Sequence, residues 1–296
     1  MAKTNDFNNI QVINLDSIIK RITVYVLKLF ANRFRLLNPL NKALPNRVNL
    51  NYWDGKPNLG DAISPVIVEH LLSKKGLTLL SPTKKTSHLY AVGSVITAGV
   101  QDCTIWGSGI LYTLLGYRLK GRKLDVRAVR GPLTRVMLLE YGYNVPEIFG
   151  DPAIFLPEVY TPKNVQKKYK YGIVAHKNGS VRLNDFSKLG ENCYTIIDIK
   201  TCDYKKFIDQ LFSAERIIST SLHGIILAES YGIPAILVRP DFSLFKYYDW
   251  YCATGRNDFP VLNSLEELSD DIFPQVPDLT SLRIGLLNTF PYDLFE

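Results

Sequence analysis

Ile217-Ile218-Ser219-Thr220-Ser221-Leu222-His223-Gly224, continuing through Ile225-Ile226-Leu227-Ala228-Glu229-Ser230-Tyr231-Gly232 to Ile233-Pro234-Ala235-Ile236-Leu237-Val238, decides how the chain is read. It has the pattern of a short buried strand, a polar turn, a helix, a Gly-Ile-Pro break and a second buried strand. The turn carries hydroxyls, one imidazole and a glycine to the start of the helix. In an open α/β sheet, ligands bind at the carboxyl ends of strands. The free N–H groups of a helix N-terminus also favour an anion there. The plainer alternative is a Ser/Thr helix cap beside a histidine that only packs.

Working outward, strands and helices alternate from Val48 onward, which is the signature of parallel sheets. Val48–Tyr52 reads as a strand, followed by the loop Asp54-Gly55-Lys56-Pro57-Asn58-Leu59-Gly60 and a helix from Asp61 to about Ser73. Strands at Leu89–Val92 and Thr104–Trp106 come next. Val126–Val129 then feeds Arg130-Gly131-Pro132 into a helix over Leu133–Tyr141, with proline at a favourable first position. After a Pro- and Lys-rich stretch, strands at Tyr171–Ala175 and Thr195–Ile199 and a helix at Tyr204–Ala214 lead back to the opening segment. Phe242–Tyr251 and Thr280–Asn288 read as closing helices. The expected organisation is a basic arm (1–47), an α/β domain (48–157), a linker (158–170), a second α/β domain (171–262) and a helical tail (263–296), with a cleft between the two domains.

The net charge of +7 hints at nucleic acid until it is located. Residues 1–47 hold Lys3, Lys20, Arg21, Lys28, Arg33, Arg35, Lys42 and Arg47 against only Asp6 and Asp16. The body is nearly neutral, so a general nucleic-acid surface is poorly supported. Within the arm, residues 17–37 form a basic amphipathic helical pattern whose uncharged apolar run is too short to span a bilayer. Two uses fit that pattern: a membrane interface, or packing on protein. Cys103, Cys193, Cys202 and Cys252 show no CxxC spacing, and no cleavable signal peptide is evident, which points to reduced thiols in the cytoplasm. The histidines (His70, His88, His176, His223) lack metal-ligand spacing, so no metal is expected.

Four further loops fall at carboxyl ends of the expected strands. Asn58-Leu59-Gly60-Asp61 lets backbone approach a ligand, and Asp61 there is a base, a sugar-hydroxyl acceptor or a helix cap. Arg127 and Arg130 bracket a strand end, and Arg130 at the helix start offers a planar fork for carboxylate or phosphate. Gly150-Asp151-Pro152 is a turn that shapes the cleft. His176-Lys177 follows a Gly-Ile-Val-Ala strand as a hydroxyl or phosphate partner.

Taken together these stretches resemble the polysaccharide pyruvyl transferase family. The resemblance rests on Asn58-Leu59-Gly60-Asp61, Val129-Arg130-Gly131-Pro132, Gly150-Asp151-Pro152-Ala153, and Ser221-Leu222-His223-Gly224 with Gly232-Ile233-Pro234. Phe245-Lys246-Tyr247-Tyr248-Asp249-Trp250-Tyr251, followed by Gly255-Arg256, is similar to the exopolysaccharide branch. The resemblance implies two Rossmann-like domains arranged as in GT-B glycosyltransferases. It implies phosphoenolpyruvate as donor, a polysaccharide or lipid-linked sugar as acceptor, and no cofactor. It carries over His223 as general acid/base and Arg130 as donor-anion clamp. Asp61 would handle acceptor hydroxyls, and Ser221 and Gly224 would add hydrogen-bond donors. Some members place an arginine two residues before the histidine, where this chain has Ser221. Arg127, Lys177, Lys246 and Arg256 are the candidates to supply that cation. Two other readings stay open: a nucleotide-sugar glycosyltransferase on the same architecture, and an inactive membrane-docked subunit of an assembly complex. Under the favoured reading the protein works in the cytoplasm, at the inner face of the membrane.

Overall fold

The computed structural model describes residues 44–53, 56–99, 101–174, 183–190, 192–241 and 243–296. The 17–37 amphipathic pattern and the His176-Lys177 pair lie outside them. Ala43–Glu296 forms one compact unit containing two parallel sheets. The first has the order β1 (Val48–Asn51), β2 (Ser87–Tyr90), β3 (Cys103–Trp106) and β4 (Leu124–Ala128). A parallel bridge between Val129 and Phe149 extends it by one short position, so Gly150 and Asp151 also leave from a carboxyl end. Helices α1 (Leu59–Ser73) and α2 (Pro132–Glu140) belong to this half, and the short α3 (Leu156–Val159) closes it.

The second sheet is built from β5 (Tyr169–Val174), β6 (Tyr194–Ile196), β7 (Ala214–Ser219), β8 (Ala235–Val238) and β9 (Val261–Leu262). Helices α4 (Tyr204–Phe212), α5 (Leu222–Ser230) and α6 (Phe245–Ala253) accompany it. Its order is β6-β5-β7-β8-β9, so the chain steps to one side of β5 and then crosses to the other. That reversal puts a crevice at the carboxyl ends of β5 and β7, the usual ligand position in such sheets. The turn bearing Ser221 and His223 leaves from β7 at this point.

The expected strands and helices are present with shifts of one to three residues at their ends, as hydrogen-bond fraying leads one to expect. Two differences have a physical cause. The first helix starts at Leu59, not Asp61, because Leu59 N–H is satisfied by Ile199 O at 3.0 Å and Asn58 O takes the first helical bond from Ala62. Asp61 is therefore inside the first turn and is not the cap. The strand Val261–Leu262, too short to show any period, is held by pairing with β8.

The tail returns to the first half. In α7 (Thr280–Asn288), Leu282 and Leu286 join the same buried cluster as Leu59, Ile63 and Trp106, together with Phe290 and Phe295 beyond it. Trp106 is fully buried on β3, donates its indole N–H to Leu286 O at 2.9 Å, and meets Phe290 edge-on with centroids 4.8 Å apart. All four cysteines are free thiols. Among the described residues no helix is long and apolar enough to cross a membrane.

Trp106→Ala is expected to lower the unfolding free energy by about 3–5 kcal/mol, the usual scale for emptying an aromatic site. A denaturant melt would read this as a shifted midpoint; a midpoint unchanged from wild type would show that the tail does not depend on β3.

Candidate active site

His223 is the second residue of α5, and its ring rests directly on Gly60 of α1. A Cβ placed on Gly60 would stand 1.9 Å from His223 Nδ1 and 2.4 Å from Cε1. With the ring in this position, residue 60 must lack a side chain. The contact joins the first turn of α1, from one half, to the first turn of α5, from the other. The Tyr247 hydroxyl on α6 donates to Thr220 O at 2.6 Å and braces the β7–α5 turn from another side.

Across the ring, His223 Nε2 lies 3.6 Å from Asp151 Oδ2. Both atoms are buried, and neither has a hydrogen-bond partner among the described residues. Asp151 is fully buried and its other oxygen accepts from Ala153 N–H at 3.0 Å, which fixes the carboxylate's orientation. The separation is longer than a hydrogen bond. A shift of the ring by a few tenths of an ångström would close it.

Asp61 is buried beside this pair, its Oδ2 accepting from Asn58 Nδ2 at 2.6 Å. Gly93, just beyond β2, packs against its other oxygen, 3.2 Å from where a Cβ would stand. Burial pushes the Asp61 carboxyl above the ordinary carboxylate range. His223, a backbone hydrogen bond from Trp53 and Lys246 oppose this, and Asp151 adds to it. Lys246, in the first turn of α6, is half-buried. Burial and the charge of Arg130 push its ammonium down to about 7, with Asp61 pulling the other way. The structure thus gathers an imidazole, two carboxylates and a lysine at the carboxyl ends of both sheets.

Arg130 stands behind that group with no exposed surface. Its Nε donates to Asp249 Oδ2 at 3.1 Å, Nη1 to Ser94 Oγ at 2.5 Å and Nη2 to Ile110 O at 3.0 Å. Its guanidinium lies against Gly109, where a Cβ would be 2.3 Å from Cζ. Three of its five N–H donors are therefore engaged within the protein. Ser94, Gly109 and Asp249 were not singled out from sequence, although Gly93-Ser94 and Gly107-Ser108-Gly109 follow β2 and β3 in the same strand-to-small-residue manner as the loops that were.

Other expected residues stand elsewhere. Arg127 turns to the tail and pairs with Asp125 and Asp293. Arg256 forms a two-pronged pair with Glu229, near the opposite end of α5, at 2.6 and 3.0 Å. Neither is brought to His223. Ser221 occupies the N-cap position of α5, but its side chain makes no capping bond, and its N–H goes to Ser219 Oγ. Gly224 seats α5 on the sheet, against Ser219 Oγ and Val174. Among the described residues no group of three or more His, Cys, Asp or Glu could hold a metal ion.

Residues 58–241 match the family described as polysaccharide pyruvyl transferase. Uncharacterized protein L143 of Acanthamoeba polyphaga mimivirus is 30% identical over 218 residues, covering 70% of this chain and 75% of that protein. Succinoglycan biosynthesis protein ExoV of Rhizobium meliloti (strain 1021) is 27% identical over 223 residues, covering 69% of this chain and 64% of its own length. No solved structure matches.

The raised Asp61 carboxyl has a stability consequence. A group whose folded pKa lies above its unfolded value binds more protons when folded, so its ionisation destabilises the fold as pH rises through that interval. Asp61→Asn keeps an oxygen for Asn58 and removes the charge. It is expected to melt higher than wild type at neutral pH, with the gain vanishing near the unfolded carboxylate pKa of about 4. Equal melting temperatures at neutral pH would contradict the assignment.

Proposed function

The chain belongs to the polysaccharide pyruvyl transferase family, and from that premise we propose that it moves the pyruvyl group of phosphoenolpyruvate onto two hydroxyls of a sugar, as a ketal. The acceptor is a surface polysaccharide or its lipid-linked precursor, and the reaction takes place at the cytoplasmic face of the membrane. One observation carries this reading: His223, Asp151, Asp61 and Lys246 converge where α1 and α5 begin.

The chemistry sets demands that these groups meet. The donor brings a phosphate and a carboxylate, which we assign to Lys246 and the free N–H groups of the first turn of α5. Arg130 contributes from behind, through the loops it holds. In the first step a sugar hydroxyl oxygen bonds to C2 of the enol while C3 takes a proton from His223. Asp61 accepts the hydroxyl proton, a role suited to a carboxyl whose pKa is raised. In the second step the bond from C2 to the phosphate oxygen breaks and a second hydroxyl closes the ketal. Its proton leaves with inorganic phosphate or returns to His223. Asp151 orients the imidazole for both transfers, as a carboxylate behind a catalytic histidine does.

An inactive subunit would follow if the arginine absent at Ser221 left the donor without a cation, and Lys246 on α6 offers one in its place. The glycosyltransferase alternative differs in its product, since it would release a nucleoside diphosphate.

Incubation with phosphoenolpyruvate and a panel of sugar glycosides, followed by mass spectrometry and phosphate assay, tests the reading. A mass gain of one pyruvyl unit with release of phosphate is expected. Nucleotide release from nucleotide sugars, with none of phosphate from phosphoenolpyruvate, would overturn it. His223→Ala is expected to lower turnover by at least about a hundredfold, the common scale for a lost acid/base group. Lys246→Met is expected to raise KM for phosphoenolpyruvate by about tenfold to a hundredfold, as for a lost charge-assisted bond. Near-normal values in either variant would remove that residue from its role.

A further inference from the structure

Helix α6 is gripped from two directions. Toward the second sheet, Tyr247 bonds Thr220 O, and the Trp250 indole donates to Glu229 at 2.9 Å. Toward the first, Asp249 is fully buried and takes three donors: Thr134 N–H at 2.8 Å on one oxygen, and the Thr134 hydroxyl at 2.7 Å with Arg130 Nε at 3.1 Å on the other. Its backbone also presses on Gly131, where a Cβ would stand 1.8 Å from Asp249 O. A buried ion pair adds little net stability, but when fully hydrogen-bonded it admits few alternative geometries.

Lys246 lies three residues before Asp249, and side chains at that spacing are neighbours on one helix face. Whatever fixes Asp249 therefore fixes where Lys246 points. We propose that Asp249 is a positioning residue for the transfer: by locking α6 to the turn between β4 and α2, it places Lys246 in the donor site. Arg130 then serves the reaction through this lock. The proposal rests on the reading of Lys246 as a donor contact.

Asp249→Asn preserves shape but sets an amide donor against the Arg130 or Thr134 donors, and so opens the lock. The readout is the pH midpoint of Lys246 acylation by an amine-reactive ester, followed by peptide mass spectrometry on the intact, donor-free protein. The charges acting on Lys246 are Arg130 and Asp61, with His223 and Asp151 grouped around Asp61. Loss of the Asp249 charge with α6 held in place would leave Arg130 less compensated and lower the midpoint below that of wild type, in the direction in which burial and Arg130 already push Lys246. Release of α6 acts in the opposite direction, toward an ordinary lysine near pH 10.4. The expected result is the upward shift, with KM for phosphoenolpyruvate raised at least about tenfold and kcat changed less. An unchanged or lowered midpoint overturns the proposal. Thr134→Val removes one of the three donors and keeps the ion pair. It should shift the midpoint upward by less, and it carries the same test if Asp249→Asn does not fold. If the wild-type protein releases no phosphate from phosphoenolpyruvate, the functional reading fails while the acylation midpoint still reports on the lock.

Discussion

The absence of a side chain at residue 60 is the constraint on which the site depends. The His223 ring occupies the space a Cβ would fill, and this brings α1 from one sheet and α5 from the other to a common point. With the ring seated there, its Nε2 lies 3.6 Å from Asp151 Oδ2, and Asp61 is near enough to interact with it electrostatically. A methyl group at this position would displace the imidazole and separate it from both carboxylates. The backbone bond from Leu59 to Ile199 O and the Tyr247 bond to Thr220 O keep the two turns from drifting apart. No single turn holds the site, which exists only where the two meet.

What is assembled there is electrostatically unfavourable to the fold. Asp61 is held above its ordinary pKa by burial and Lys246 below its own. Asp151 Oδ2 and His223 Nε2 are buried without a hydrogen bond among the described residues. Groups left in that condition cost stability, and they concentrate at positions selected for chemistry. The surrounding polar groups contrast with them. Arg130, Asp249, Thr134, Glu229 and Arg256 are also buried or nearly so, yet each is satisfied by named partners. The contrast is between these mutually paired groups and the His223–Asp151 pair, which lacks a hydrogen bond.

That distinction explains what was legible in the sequence. The alternation of strands and helices follows from local hydrophobic runs and breakers, so nearly every element could be placed within a few residues. His223, Asp61 and Asp151 were recognisable because they follow strands at turn residues. Arg130, at a helix start, could be set ahead of Arg127 by that rule, but the partners of Arg127, Arg130 and Arg256 could not be read, since each is an arginine near a strand or helix end. Their fates depend on acids far away in the chain: Asp293 for Arg127, Asp249 for Arg130 and Glu229 for Arg256. Sheet order was equally hidden. The β6-β5-β7 arrangement that puts the crevice beside His223 is a property of pairing between strands, and no local pattern encodes it.

At the Ser221 position the proposed reading has long-range placement stand in for a local change. Some members of the family place an arginine two residues before the histidine; in the proposed reading the cation in this chain is Lys246, from a different helix. An arginine on the α5 turn would remain charged at any working pH and would be positioned by its own backbone. Lys246 depends on α6, and its ammonium is pushed down to about 7. Its charge is therefore less firmly held than that of an arginine. Moving the cation from the turn to α6 makes its location answer to the Asp249 contacts and its charge answer to the proton supply, two dependencies that an arginine at residue 221 would lack.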